Sequence, residues 1–232
     1  MQELRIITKD FLKTNATTNQ YFSDVETRKI DLFFKYFIDK LFAFTLLLFL
    51  LPLIIVLAIW IKLDSKGPVF YRQERVTQYG RIFKIFKFRT MITGADKVGT
   101  LVTVGKDSRI TKIGYFLRKY RLDEVPQLLN VLNGDMSFVG VRPEVPKYVE
   151  HYTDEMLATL ILPAGITSPA SIAYKDEYFV LEEYCSIGYA PDEAYIKKVL
   201  PEKMKYNLEY IKNFGLLYDL KIMVNTVMKV MK

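Results

Sequence analysis

The residues that could do chemistry are concentrated within positions 118–143 of this 232-residue sequence. Two adjacent carboxylates, Asp123 and Glu124, stand there among basic residues, and Pro126 follows at the start of an apolar helical pattern. Carboxylates at a helix start face unpaired backbone N–H groups, which also attract phosphate. The pair is typical of a salt-bridged helix start, but it would also suit a nucleophile that works on an anionic substrate.

The overall composition favours an anionic partner. Lys and Arg outnumber Asp and Glu by 33 to 26, a formal net charge of +7. Nucleic acid, a phosphorylated metabolite and a membrane surface all fit this excess. A single cysteine, Cys185, excludes an intrachain disulfide, and a single histidine, His151, argues against a zinc site of the usual kind.

An uncharged stretch over residues 41–61 predicts membrane embedding. At about 1.5 Å per residue it could just cross a bilayer core of about 30 Å. Pro52 lies near its middle, where it removes a backbone hydrogen bond, and basic residues flank both ends without the asymmetry of a spanning helix. We therefore predict a helix broken at Pro52 that enters and leaves the membrane on the cytoplasmic side. An ordinary span with a kink is the alternative.

Further elements must position the acidic pair. Residues 69–73 and 81–89 read as two short strands, and in the second of these Lys87 and Arg89 would project to the same face. Thr111 could cap a helix that carries Arg118 toward the pair. A second helix is predicted over residues 123–132, with Asn133-Gly134 as its C-terminal cap.

The rest of the chain divides into simpler segments. Residues 1–24 read as a polar extension with little core of its own, and residues 91–104 and 163–169 read as loops. From residue 216 an apolar stripe predicts an amphipathic helix, which would either pack on the core or lie on the membrane interface.

A set of short motifs follows in a fixed order along the chain, over residues 61–73, 86–91, 107–114, 117–118, 122–140, 142–144 and 218–222. This ordered set resembles the bacterial sugar transferases, the monotopic phosphoglycosyl transferases. The resemblance covers residues 30–232 and is densest over 61–144. This sequence departs from the family's pattern at Val141, at Pro163-Ala164 and at Leu51, while the catalytic run Leu122-Asp123-Glu124 is intact.

The resemblance implies an α+β fold. We expect a helix-rich single catalytic domain with a small β-hairpin, anchored by a re-entrant N-terminal membrane helix hairpin. Residues 1–24 would form the polar extension and 25–62 the amphipathic and re-entrant membrane helix. Residues 63–232 would form the cytosolic phosphoglycosyl transferase domain with its C-terminal amphipathic helix.

The resemblance also implies a reaction. A sugar phosphate would pass from a UDP-sugar to a polyprenyl phosphate, such as undecaprenyl phosphate, with release of UMP, as the first membrane step of surface glycan assembly. Asp123 would be the nucleophile, and Glu124 would hold Mg²⁺. The implied substrate-binding residues are Lys87, Arg89, Arg118, Gln127 and Arg142.

The implied partners are therefore a UDP-sugar, a polyprenyl phosphate and membrane lipid, at the cytoplasmic face of the bacterial inner membrane. Whether the chain forms a homo-oligomer is left open. Two rivals remain from the sequence: a glycosyltransferase that releases UDP, and a non-catalytic membrane scaffold or regulator that retains the fold. Nucleic-acid binding rests on the net charge alone, and the sequence shows no basic-aromatic binding motif, so we expect no nucleic acid.

Overall fold

The computed structural model describes residues 7–95 and 107–231, which are mostly helical. The described α-helices are α1 Lys9–Thr14, α2 Asn19–Thr27, α3 Lys29–Asp64, α4 Lys112–Lys119, α5 Leu128–Leu132, α6 Pro146–Val149, α7 Pro169–Ala173, α8 Glu177–Ser186, α9 Pro191–Ala194, α10 Leu200–Asn213 and α11 Leu216–Met231. The described strands are β1 Phe70–Val76, β2 Ile82–Phe88, β3 Met136–Val139 and β4 Ala164–Thr167. Most of the predicted loop over residues 91–104 lies outside the described residues.

The N-terminal segment differs from the predicted extension. Helices α1 and α2 form within it, and Thr8 caps α1 by accepting a hydrogen bond from the backbone N–H of Phe11. Ile7, Leu12 and Phe22 are buried in the largest hydrophobic core. The prediction of a polar extension with little core of its own was therefore wrong, because Ile7, Leu12 and Phe22 pack into the core of the domain.

Helix α3 is a single 36-residue helix that contains Pro52. It is long and apolar enough to cross a membrane, by length and composition. The helix continues through Pro52 without an interruption, so it is not divided into two helices there. The re-entrant course through the membrane stays a prediction. Most of its large apolar side chains are exposed, among them Phe33, Phe49 and Leu63.

The inner face of α3 packs on the domain along most of the helix. Side chains at intervals of three or four residues form this stripe, which places them on one helix face: Lys35, Asp39, Ala43, Leu46, Leu50, Ile54, Leu57 and Ile61. Ala43 packs in a cluster with Leu128 and Val131 of α5, whereas Leu57 and Ile61 pack with Phe88 and Leu117. Both halves of the apolar helix therefore contact the same globular body.

Buried charges join α3 to the last helix. The Lys35 ammonium, 3% exposed, forms an ion pair with Asp219 of α11, and Asp39 accepts a hydrogen bond from the Ser137 hydroxyl. Asp219 also accepts a hydrogen bond from the Tyr210 hydroxyl at 2.9 Å. These bonds satisfy groups that would be costly to bury alone, so they fix α3 against α11 and β3.

The predicted hairpin is confirmed. Strands β1 and β2 pair antiparallel, with Phe70 opposite Phe88 and Val76 opposite Ile82. Helix α4 begins as predicted, because the Thr111 hydroxyl accepts the Gly114 N–H at 3.1 Å. These two elements flank the acidic pair.

The acidic pair lies in a 3-10 helix, Leu122–Gln127, which continues into α5. The predicted α-helix starting near Asp123 was therefore wrong in its first turns, where Pro126 lacks the N–H that an α-helical bond would use. The predicted cap is present, since Asn133 ends α5 and Gly134 has a φ of 77°.

A second small sheet was not predicted. Strands β3 and β4 pair in parallel, although residues 163–169 were read as a loop. The strands have four residues each and no polar alternation, so they lack the usual sequence signal. Gly140 and Gly165 lie where these strands meet, and a Cβ on Gly165 would overlap the Gly140 backbone.

This close approach predicts that Gly165→Ala destabilises the fold. Overpacking of this kind costs about 1–3 kcal/mol, since backbone atoms cannot move aside as a flexible side chain can. Thermal unfolding in detergent would measure the loss as a lower Tm. Gly215→Ala is the matched control, because a Cβ there meets no atom within 4 Å. Equal Tm values for the two variants would contradict the prediction.

Helix α11 confirms the predicted C-terminal amphipathic helix. Ile222 and Asp219 are buried, whereas Leu217 is 85% exposed and Leu220, Val224 and Val227 are at least half exposed. The helix thus buries one narrow face and presents an apolar face to the outside. The exposed faces of α3 and α11 are the main apolar surfaces among the described residues.

Candidate active site

Two cations hold Glu124. Its Oε1 accepts hydrogen bonds from Lys87 Nζ at 2.8 Å and from Arg142 Nη2 at 2.6 Å. Lys87 comes from β2 and Arg142 follows β3, so the hairpin and the parallel sheet converge on this carboxylate. Burial alone would raise the pKa of Glu124, but attraction to Arg142 and Lys87 holds that pKa well below its ordinary value. Glu124 is therefore an ionised, fixed group.

Asp123 is next to Glu124 in the chain but has a different environment. The residue is 9% exposed, and its carboxylate forms no hydrogen bond or ion pair within the part of the chain that is described. Burial raises the pKa of Asp123; Glu124 adds to the increase, whereas Lys87 and Arg118 oppose it. Neighbouring carboxylates whose environments push their pKa values apart are typical of divided catalytic roles.

A large cavity opens over the pair. Its volume is about 1460 Å³, and Asp123, Glu124, Lys87, Arg118 and Arg142 all line it. A nucleotide sugar carries two phosphates, and arginine forks match phosphate oxygens. The cavity therefore combines a buried carboxylate, which has no protein hydrogen-bond partner among the described residues, with cations suited to a diphosphate.

The remaining predicted residues divide into two sets. Arg118 reaches the cavity, and its Nε donates to the Thr90 hydroxyl at 2.9 Å. Gln127 is 1% exposed and does not line the large cavity. Both polar atoms of its side chain lack a hydrogen-bond partner among the described residues. Gln127 is therefore buried in the same 3-10 helix as the acidic pair but does not line the large cavity.

Arg89 is directed away from the acidic pair. Its guanidinium donates to the backbone carbonyls of Ser65 and Lys66, both at 2.7 Å, just beyond the end of α3. Strand β2 ends at Phe88, so the alternation that predicted a shared face with Lys87 stops one residue too early. Carbonyls at a helix C-terminus lack helical partners, and an arginine satisfies them here. Arg89 therefore secures α3, although it also borders the large cavity.

A buried charged cluster borders the site and was not predicted. Lys203 of α10 contacts Glu177 at 2.9 Å and Glu144 at 3.3 Å, and it donates to the Tyr195 hydroxyl at 2.7 Å. Burial opposes the charged form of Glu144, yet attraction to Lys203 and Arg75 holds its pKa below the ordinary value. In the sequence, only Glu144 indicated this cluster, because it belongs to the motif over residues 142–144.

Arg121 was also missed. It was not among the predicted site residues, but it lines the large cavity two residues before Asp123. Its φ of 56° is a left-handed conformation that residues other than glycine seldom adopt, and such strain is often found at functional sites. Its Nη2 donates to the Lys175 carbonyl at 3.2 Å.

The donor set bears on a metal ion. The described residues contain no group of three or more His, Cys, Asp or Glu side chains that could hold one. Mg²⁺ is commonly bound by one or two carboxylates plus substrate phosphates and water. Asp123 and Glu124 together provide such a donor set, although Glu124 already accepts from two cations.

The chain was compared with protein families. The model of the family described as bacterial sugar transferase matches residues 30–232. The match begins at the second residue of α3 and runs to the last residue of the chain, so it includes the apolar helix and the whole candidate site.

Several curated proteins are similar to the chain. A UDP-glucose:undecaprenyl-phosphate glucose-1-phosphate transferase of Xanthomonas campestris pv. campestris is 36% identical over 83% of this chain and 38% of its own length. A putative undecaprenyl-phosphate N-acetylgalactosaminyl 1-phosphate transferase of Bacillus subtilis is 46% identical over 51% of this chain and 66% of its own. The exopolysaccharide production protein ExoY of Sinorhizobium fredii is 30% identical over 92% and 94%. The chain thus spans well under half of the Xanthomonas protein.

Proposed function

The chain belongs to the bacterial sugar transferase family, and from that premise we propose that it transfers a sugar phosphate from a UDP-sugar to a polyprenyl phosphate, releasing UMP. The observation that carries the proposal is the contrast between the two carboxylates. Asp123 is buried without a hydrogen-bonding partner among the described residues, whereas Glu124 is held by Lys87 and Arg142. Two similar proteins that are named as transferases for undecaprenyl phosphate support the acceptor.

The first half of the reaction uses Asp123. Its carboxylate oxygen attacks the phosphorus that bears the sugar, the bond from this phosphorus to the bridging oxygen breaks, and UMP leaves with the electron pair. The product is a covalent aspartyl phosphosugar. A raised carboxyl pKa means a more basic oxygen, and a carboxylate without hydrogen bonds is free to attack.

The second half uses the lipid. A phosphate oxygen of the polyprenyl phosphate attacks the same phosphorus, the bond to Asp123 breaks, and the carboxylate is regenerated. The product is a polyprenyl diphosphate sugar. Because one displacement is divided into two, the UDP-sugar can react with Asp123 before the lipid is present, and the lipid can react after UMP has left.

The cations offset the negative charge that gathers during both halves. Arg118 and Arg142 line the cavity and have planar forks that suit phosphate oxygens, while Lys87 holds Glu124 beside Asp123. When bound, Mg²⁺ would neutralise charge on the diphosphate, and Glu124 would hold it. We assign Lys87, Arg118 and Arg142 to the substrate and regard Arg89 and Gln127 as positioning residues.

The packing of α3 supports a monotopic attachment. A helix of 36 residues is about 54 Å long. Because its inner stripe contacts one globular body from Lys35 to Ile61, both ends lie on the side of the domain. The exposed faces of α3 and α11 would rest in one leaflet of the bacterial inner membrane, at its cytoplasmic face, where UDP-sugars are available.

Product analysis tests the reaction. Purified chain, Mg²⁺, undecaprenyl phosphate and a panel of UDP-sugars are expected to yield UMP and a lipid-linked diphosphate sugar, which chromatography and mass spectrometry would identify. Release of UDP would instead support a glycosyltransferase. No nucleotide release with any UDP-sugar would support the non-catalytic scaffold. Chelation by EDTA is expected to stop UMP release, and restoration by added Mg²⁺ is the control.

A further inference from the structure

A second cavity adjoins the acidic pair. Its volume is about 400 Å³, and it shares Glu124, Arg142, Arg121, Lys175, Glu177 and Lys203 with the large cavity. Asp123, Lys87 and Arg118 line only the large cavity. The two cavities therefore meet at the Glu124–Arg142 ion pair but have different outer walls.

The outer wall of the small cavity is mostly apolar. Leu46 and Leu50 come from α3, Ile166 from β4 and Ile172 from α7, while Thr226 comes from α11. Helices α3 and α11 are also the elements whose opposite faces are apolar and exposed. The cavity thus lies between the two helices that carry the main apolar surface of the described chain.

Cations without carboxylate partners occupy the polar end. Five basic and two acidic residues line the cavity. Arg142 pairs with Glu124, and Lys203 pairs with Glu177. Among the described residues, Arg121, Lys175 and Lys229 form no ion pair with a carboxylate. The Arg121 side chain donates a hydrogen bond to the Lys175 carbonyl, and the Lys175 side chain donates one to the Lys229 carbonyl.

We propose that this small cavity binds the acceptor lipid, with its phosphate at Arg121 and Lys175 and its first isoprene units against Leu46, Leu50 and Ile172. The inference rests on the proposed function. An apolar trough that ends in unneutralised cations complements a ligand with one anionic head and a long apolar tail. The polar UDP-sugar fits the larger cavity, where Asp123 lies.

This arrangement gives the two substrates separate entrances to one phosphorus. Arg121 is two residues from Asp123, and its side chain donates to the Lys175 carbonyl. A lipid phosphate at Arg121 would lie beside the phosphosugar on Asp123. The lipid could therefore bind without entering the cavity that the nucleotide occupies.

Kinetics with a cavity-filling variant test the site. Ser171 of α7 lines only the small cavity, so Ser171→Trp should occupy it. We expect the KM for undecaprenyl phosphate to rise at least about tenfold and the KM for the UDP-sugar to stay within about twofold. Ala173→Trp is the matched control, since Ala173 is exposed on the same helix and lines neither cavity. An unchanged KM for the lipid, or equal increases for both substrates, would overturn the inference.

A binding assay removes the dependence on turnover. Ser171→Cys in a Cys185→Ser background carries one thiol, whose maleimide labelling rate reports access to the cavity. Farnesyl phosphate is expected to slow labelling at least about fivefold, whereas inorganic phosphate at the same concentration should not. Equal protection by phosphatidylglycerol vesicles, or no protection by farnesyl phosphate, would overturn the assignment.

The two experiments distinguish failure of the proposed function from failure of the proposed lipid site. If the proposed function is wrong, the wild-type chain releases no UMP with any donor, and the inference is lost with it. If only the lipid site is wrong, the wild-type chain turns over while Ser171→Trp behaves like Ala173→Trp.

Discussion

Asp123→Asn should lower kcat for sugar-phosphate transfer by at least about 10³-fold, because an amide cannot act as the nucleophile that the proposed mechanism requires. Asp123 is the buried carboxylate that forms no hydrogen bond or ion pair within the described residues. Its removal should leave the Lys87–Glu124–Arg142 cluster in place. UMP release, measured under saturating donor and lipid, gives the comparison.

Intact-mass measurement of the covalent intermediate sharpens this result. Wild-type chain incubated with a UDP-sugar and no lipid should gain the mass of one phosphosugar, and Asp123→Asn should gain none. The Asn variant should be at least as stable as wild type at pH 7, because it replaces a buried carboxylate whose charged form burial opposes. Asp24→Asn, at an exposed position, is the control. Full turnover by Asp123→Asn, or an adduct on Glu124, would refute the assignment.

Lys35→Met should be the most destabilising single change considered for the fold. Lys35 is 3% exposed and pairs with Asp219, with Asp39 at 3.8 Å. Removing the ammonium leaves two buried carboxylates without their cation, and breaking a buried pair from one side costs about 3–5 kcal/mol. Thermal unfolding in detergent should show the loss as a clear decrease in Tm.

Two further variants isolate the cause. Lys40→Met removes a lysine from the same helix at an exposed position and should change Tm little. Lys35→Met combined with Asp219→Asn should recover part of the loss, because one of the unpaired carboxylates is then gone. A Tm for Lys35→Met no lower than that of Lys40→Met would show that the ion pair does not hold α3 to α11.

Local patterns predicted the parts of the fold that depend on neighbours in sequence. An uncharged stretch predicted the apolar part of α3, and an apolar stripe predicted α11. The strand patterns predicted the hairpin, and Thr111 predicted the start of α4. The acidic pair was recognised because Asp123, Glu124 and Pro126 stand together. Arg142 was included through the family motifs, and its contact with Glu124 joins residues 18 apart.

The parts that were missed depend on distant contacts. Lys203 meets Glu144 across 59 positions, and no local pattern records that pairing. Strands β3 and β4 are too short to show a period, and they form because each completes the other's hydrogen bonds. The bonds that Arg89 makes could not be predicted, because the end of α3 supplies carbonyls that a strand pattern does not reveal.

The ion pair between Lys35 and Asp219 joins residues that the ribosome makes far apart in time. They are 184 positions apart, which at 5–20 residues per second corresponds to roughly 10–40 seconds of translation. Throughout that interval the Lys35 ammonium lacks the carboxylate of α11, and a charged side chain is costly in hydrocarbon. With the membrane attachment proposed above, the first turns of α3 would therefore stay at the hydrated surface of the bilayer until α11 has been made. Packing of α11 on the domain is then the step that buries the Lys35 ammonium in its ion pair, and it occurs only after residue 219 has been synthesised.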